Sequence, residues 1–409
     1  MTVQENEKKT HALVPAKGGA VVQSGDSAPD YWERSARRFT LAYRVLLVVL
    51  VLFIVVFMVV CSNAFTYESI FYFGKDLHTL AALVGLAEDT VYYTYAEGAA
   101  PPVPYRGGAA VVQENRVTVY GAGGNLLLDF AVDYEAPRGV SSRNYLLSYD
   151  FGGRDFAVSN SYAKLYSGTA DHAIYGAFVS DAGYFTLITA SDSTLSAVQL
   201  YDPNFNLIAT YPYSGAVIAT AISENGRYLT VAVARSTGAA VEVFAVGAAN
   251  ASTVLSFEGE MPLALGFTSN ASLALLTDTA CHTFGVNGKQ HSSFDFGGAA
   301  LSAFAFDEGG VAFTLEADRM SGEHRVLALD KRGDVEADLT LAARVLSLAR
   351  SEESLFVLTA GEVSRVSLAD GERIATAPVG EDAMLLAVLG DKSVRVFYPA
   401  RAVKVTLTE

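Results

Sequence analysis

A chain of 409 residues that is 51% hydrophobic and only 18% charged carries enough apolar material for a large core. Its formal charge of −15 sets it against phosphate backbones, so the sequence gives no expectation of nucleic-acid binding. Only two cysteines, Cys61 and Cys281, are present, which excludes a disulfide framework.

The charge is uneven: residues 1–44 hold two more basic than acidic side chains, leaving −17 for the remainder. Residues 1–40 are largely polar and rich in Gly, Ala and Ser, without periodicity, and read as a disordered cytoplasmic tail. From Val45 to Cys61 run 17 residues without a charge. At about 1.5 Å per residue they span about 25 Å, and flanking residues supply the rest of a hydrocarbon core of about 30 Å. The segment 41–65 therefore predicts a single transmembrane helix. A cleaved signal peptide fits poorly, because 44 residues precede the apolar run and the run exceeds the usual h-region. Arg34, Arg37, Arg38 and Arg44 lie before it, while Glu68, Lys75 and Asp76 follow. The positive-inside rule then leaves the N-terminus in the cytoplasm and the C-terminal domain extracellular, with the lipid bilayer of the cell membrane as one partner. The aromatic-rich residues 66–79 form a membrane-proximal tether in this reading.

From residue 80 to residue 409 short apolar runs alternate with turn signals such as Asp202-Pro203-Asn204, Asn225-Gly226, Asn287-Gly288 and Asp370-Gly371. Val, Thr, Tyr, Phe and Gly are plentiful, and sustained helical periodicity is missing, so the domain is all-β. Residues Leu339 to Arg350 could pass as a short helix, but Val345-Leu346-Ser347-Leu348 also fits the first strand of a repeat. First strands begin near Ala109, Gly139, Ile174, Val217, Leu263, Leu301, Val345 and Met384, at intervals of about 30 to 46 residues. One unit reads "IYGAFVS", "YFTLITA", "SAVQLYD", "NLIATYPY". Four strands per unit at this period predict a β-propeller of seven to eight four-stranded blades, with eight preferred. The last unit has room for three strands, and Leu80 to Tyr95 is available to supply a fourth. Two stacked sheets are the alternative, but they leave the period unexplained.

The turn "SENGRYLTVAV" from Ser223 is similar to the S-P-D-G-[KR] turn of WD40-like and TolB-type propellers. "YLLSYDFGGRDFAVSNSYAKLY" from Tyr145, with "AFVSDAGYFTLITA" and "VQLYDPNFNLIATY", resembles an uncharacterised family of Gram-positive bacterial proteins. Those carry one N-terminal spanning helix and a propeller-like outer domain; the resemblance implies the architecture and no activity, cofactor or catalytic residue.

Candidate chemistry is sparse. Cys281-His282 with His291 is the one cysteine–histidine cluster, yet zinc needs a fourth ligand, and the two histidines straddle the Asn287-Gly288 turn as if facing across a hairpin. Ser161-Tyr162-Ala163-Lys164 matches S-x-x-K, but that motif needs a helix and partner motifs that are missing, and the context makes it a turn. Arg332-Gly333-Asp334 reads as a hairpin turn rather than an adhesion motif. Gly121-Ala122-Gly123-Gly124 lacks the spacing of a dinucleotide loop. Asp181, Asp202, Glu224, Asp307 and Asp370 sit at expected turns. Trp32, the single tryptophan, falls on the cytoplasmic side and cannot dock a quinone outside. No catalytic, metal or cofactor-binding residue is assigned, and the ligand-binding residues are unknown.

The reading that results is a membrane-anchored extracytoplasmic propeller that binds or scaffolds envelope proteins, peptides or glycans, without a cofactor and without evident catalysis. The alternative is a glycan-active propeller enzyme, hydrolase or lyase. Two carboxylates facing each other in the channel mouth with shifted protonation would favour the enzyme; a channel lined by apolar residues, Ser and Ala would favour the binding module.

Overall fold

The computed structural model describes residues 36, 39–40, 42–53, 90–94, 100–316 and 322–408. The chain divides into two compact units, residues 1–71 and 72–409. In the first, residues 42–53 are helical, as are Ala36, Phe39 and Thr40 at the end of the stretch read as a tail. The Thr40 hydroxyl donates back to the Ala36 carbonyl at 2.8 Å. Among the described residues no helix is long and apolar enough to cross a membrane. The second half of the Val45–Cys61 stretch and the tether at 66–79 lie outside the described residues, as do Trp32 and Cys61.

The second unit is an eight-bladed β-propeller with four antiparallel strands per blade. Within seven blades the strands lie in sequence order. The unit singled out in the sequence is blade 3: Ile174–Val179, Phe185–Thr189, Ser196–Tyr201 and Leu207–Tyr213. Its two central strands are buried at every position, and the outer strand alternates between exposed and covered. Neighbouring blades cover both faces of a central strand, so such strands read as continuous apolar runs rather than strict alternation. The core accordingly lies between blades. Ile188, Val198 and Leu200 of blade 3, for example, pack on Leu229, Val231 and Val233 of blade 4.

The ring closes with strands from both ends of the chain. Leu385–Gly390, Ser393–Phe397 and Arg401–Thr406 form three strands of blade 8, and Thr90–Tyr92 adds the fourth, antiparallel to Arg401–Thr406. Val91 is fully buried there, and the Tyr93 hydroxyl donates to the Tyr398 carbonyl and to the Arg401 carbonyl at 2.8 Å. Across the seam the buried Arg395 guanidinium donates to Ala122 O of blade 1 at 3.0 Å. Eight closed blades overturn the stacked-sheet alternative.

One sequence expectation needs correction and another is decided. The first strand of blade 1 is Val103–Tyr105, not the run at Ala109, which is the second strand, Gly108–Val112. Val103–Tyr105 is three residues long and contains Pro104, which cannot donate to a ladder and is tolerated because this strand is a sheet edge. Of the two readings of Leu339–Arg350 the strand holds and the helix does not: the stretch contains the end of Val335–Leu341, a turn, and the first strand of blade 7, Val345–Arg350.

The innermost strand is the first in blades 1 to 7 and Leu385–Gly390 in blade 8, and these strands neighbour one another from blade 1 round to blade 8. In blades 3 to 7 that strand carries one unpaired extra residue near its start: Tyr175, Ile218, Leu263, Ser302 and Leu346. A bulge re-aims its side chain, and Tyr175 and Leu263 are exposed to 53% and 42%.

Candidate functional site at one mouth of the channel

The turn between the first and second strands repeats a two-residue pattern around the ring. Ser142-Arg143, Ser180-Asp181, Ser223-Glu224, Ser269-Asn270, Asp307-Glu308 and Ser351-Glu352 occupy equivalent places in blades 2 to 7. The first residue ties the turn. Ser223 Oγ accepts the Arg227 and Tyr228 amides at 3.2 and 3.0 Å, Ser142 Oγ accepts that of Tyr145 at 3.2 Å, and Asp307 Oδ1 accepts those of Gly309 and Gly310 at 2.9 Å. Side chains that bond forward to turn amides are a known substitute for a backbone turn. The second residue is thereby held on the rim. The central turn "SENGR", from which Gly226 supplies a positive φ of 66°, is one member of this set.

Rim residues from different blades meet. Arg143 of blade 2 reaches Asp181 of blade 3, Nε to Oδ2 3.3 Å, and Glu224 of blade 4, Nη1 to Oε1 3.5 Å. Its backbone amide also donates to Asp181 Oδ1 at 2.5 Å. Glu308 of blade 6 shares a hydrogen bond with Glu224, which holds the Glu308 carboxyl above its ordinary range; partial burial adds to the rise and Arg143 opposes it. Two carboxylates thus meet one guanidinium, and Glu308 stands beside them on the same rim. Below them lies a cavity of about 290 Å³ whose floor is apolar: Phe178, Val179, Ile222, Leu265, Phe267 and Phe306. Gly266 makes room for this floor, since a Cβ there would stand 2.5 Å from the Phe306 ring. A wider hollow of about 730 Å³ adjoins it and shares Arg143, Asp307 and Glu308, adding Glu336, Arg350, Glu352 and Asp391.

A second charged group underpins the rim. The Arg350 side chain is 2% exposed, its Nε 3.1 Å from Asp307 Oδ1 and its Nη2 2.8 Å from Glu336 Oε2. Nη1 donates to the Leu329 carbonyl at 2.9 Å. Burial raises the Asp307 and Glu336 carboxyls above their ordinary values, and Arg350 only partly opposes it.

The residues singled out in the sequence separate into two groups. Asp181, Glu224 and Asp307 stand at the mouth. Asp202 and Asp370 do not: each accepts amides of its own turn, at 2.9 and 2.8 Å for Asp202 from Asn204 and Asn206, and at 3.1 Å for Asp370 from Glu372. His282 and His291 do not face one another. His282 is buried against the Phe257 ring at 4.4 Å and bonds Glu260 at 2.8 Å, and its cross-strand partner is Ser293. Cys281 is buried and its thiol is pushed up to about 12 by desolvation. Among the described residues no group of three or more His, Cys, Asp or Glu side chains is arranged to hold a metal ion. Ser161 is a buried turn residue that accepts from Arg106 Nη1 at 3.2 Å, while Lys164 begins the next strand and lies over the Phe130 ring. Arg332-Gly333-Asp334 is a hairpin turn, closed by Gly333 N to Asp330 O at 2.9 Å, and its Arg332 carbonyl accepts from Thr283 of blade 5.

Arg143, Glu308, Glu336 and Arg350 were missed. The signal that finds the first two is the repeated pair at the first turn of each blade, visible once the blades are in register.

The propeller fold has counterparts among known proteins. The model of a family of unknown function, DUF5711, matches residues 91–384. The chain belongs to that family. No curated protein matches it. Among solved structures it is similar to the C-terminal WD40 domain of Sif2, at 11% identity and TM-score 0.57, covering 80% of this chain and 100% of that one. It is also similar to BamB from Moraxella catarrhalis, at 11% identity and TM-score 0.52, covering 78% and 99%. A third is Sqt1 from Chaetomium thermophilum, solved bound to the N-terminus of the ribosomal protein L10, at 14% identity and TM-score 0.54, covering 77% and 99%. At these identities the likeness is one of fold.

Proposed function

We propose that this protein is a membrane-anchored, extracytoplasmic binding or scaffolding module of a Gram-positive cell envelope, with a protein or peptide as its partner. The observation that carries the reading is the open channel mouth, where rim side chains of several blades converge over an apolar floor without an arranged nucleophile or metal cluster among the described residues. The uncharged Val45–Cys61 stretch and the arginines before it support a spanning helix with the propeller outside. The fold is shared with a propeller solved on a peptide segment of its partner, which supports a protein ligand over a small metabolite.

The test is protease shaving of intact cells that express the full chain with an N-terminal tag, followed by cross-linking and mass spectrometry. The expected result is loss of the propeller without lysis, retention of the tagged end, and cross-links from the mouth to an envelope protein. Digestion only after lysis refutes the topology, and cross-links confined to lipid or to abundant unrelated proteins refute the scaffold.

A second reading, a glycan-active enzyme, would rest on the Glu224–Glu308 pair at the mouth. Two carboxyls that share a hydrogen bond are closer than the about 5 Å of a retaining or the about 6.5–9.5 Å of an inverting glycosidase. The pair therefore matches neither geometry as it stands. Release of reducing sugar from purified cell wall, abolished by Glu308→Gln, would reverse this ranking.

A further inference from the structure

We infer that the cavity at this mouth docks a basic side chain, Arg or Lys, of an extended segment of the protein partner. The inference rests on the binding-module reading above and names the chemistry of what binds. Its argument is charge complementarity over an apolar pocket. The floor of Phe178, Leu265, Phe267 and Phe306 suits the hydrocarbon stem of a long side chain, and the rim above it is acidic on three blades. The protein already places one cation there: Arg143 crosses two blades to lie between Asp181 and Glu224. Arg143 is 69% exposed, so little packing holds it in that position. One guanidinium does not balance Asp181, Glu224 and Glu308. The adjoining hollow adds Asp330, Glu336, Glu352 and Asp391 against Lys331 and Arg350, so it carries the same net sign. The rim keeps an excess of carboxylates, and an incoming Arg or Lys offsets it, pairing with Glu224 and Glu308 while its stem covers the Phe306 side of the floor. An acidic or neutral segment would gain the floor contact and leave the carboxylate excess as it was.

The experiment uses the full chain in detergent on arrays of acetylated, amidated nonapeptides, randomised except for a central Arg, Lys, citrulline or Glu. The expected result is at least about tenfold more protein retained on the Arg and Lys arrays than on citrulline, which has the shape of Arg without its charge, and least on Glu. The retention should fall several-fold between 50 and 300 mM salt. The double variant Glu224→Gln with Glu308→Gln should abolish the preference while keeping its thermal midpoint, because both are rim turn residues, Glu308 exposed and Glu224 half-buried, and Gln keeps their shape. Arg143→Ala should raise retention on the Arg array, since it frees carboxylates that Arg143 occupies. Equal retention on all four arrays, no retention on any, an unchanged preference in the double variant, or weaker binding by Arg143→Ala each overturns the inference. Cross-links in cells to a partner seated elsewhere on the propeller would then leave the scaffold reading standing, whereas failure of both experiments removes both.

Discussion

Arg350→Met removes the one cation that bridges blade 7 to Asp307 and Glu336 of blade 6, and its cost can be worked from the contacts. At about 3 Å and an effective dielectric near 20, each ion pair has a gross attraction of roughly 5 kcal/mol, most of it spent on desolvation. Breaking a buried pair by deleting one partner typically costs about 3–5 kcal/mol, because the remaining charge is stranded. Asp307 and Glu336 are 21% and 29% exposed, so water screens part of that penalty, and about 3 kcal/mol at pH 7.5 is the working figure. Both carboxyls already sit above their ordinary values through burial. A raised carboxyl contributes stability while protonated and loses that contribution as pH rises from its unfolded value through its folded one. Without Arg350 the folded values rise further, so the variant should regain stability on acidification. Thermal unfolding by circular dichroism should show the midpoint lowered by roughly 4 to 5 °C at pH 7.5, with the gap to wild type narrowing towards pH 5. A midpoint within 1 °C of wild type at pH 7.5, or a gap that widens in acid, would falsify the stranded-charge argument.

Four further outcomes follow from other places in the ring. Val91→Asp puts a carboxylate into the fully buried seam and should destabilise by at least about 3 kcal/mol, seen as early cleavage near residues 90–94 in limited proteolysis; unchanged protection would mean that closure does not depend on this strand. Gly333→Ala meets both a φ of 88° and a Cβ contact of 2.5 Å with Ser292, so a loss of about 1–3 kcal/mol in denaturant midpoint is expected, and a neutral result would refute the tight blade 5–blade 6 approach. With its thiol near 12, Cys281 is thiolate in only about one molecule in ten thousand at pH 8, so iodoacetamide should label it after denaturation and not before; native labelling within minutes contradicts the burial. Glu308 is raised first by its bond to Glu224, so its carbon-13 titration midpoint should lie above that of an ordinary Glu and move down in Glu224→Gln, and an unshifted midpoint would refute that contact.

The blade period was legible because each unit announces itself twice, by a turn that needs Gly or an Asx or Ser cap and by a pair of apolar runs too long to alternate. Blade 3 could be read strand by strand for that reason. Blade 1 was misplaced because Val103–Tyr105 is short, carries Pro104, and offers no pattern at all. The site was only half legible. Asp181, Glu224 and Asp307 were noticed as turn residues, but Asp202 and Asp370 have the same local sequence character and lie elsewhere. What separates them is which of a blade's turns they occupy, a fact about register rather than composition. Glu308 and Glu224 are 84 positions apart and meet only because the ring curves, a distance in sequence that no local motif spans.

The seam also sets an order of events. Tyr93 and Tyr398 are separated by 305 residues, so the first propeller strand to be synthesised waits for the last before it has a neighbour. Until then both terminal blades expose unpaired edges to other chains. A prematurely stopped chain would lose far more than its missing residues, because the ring would remain open at the place where it must lock.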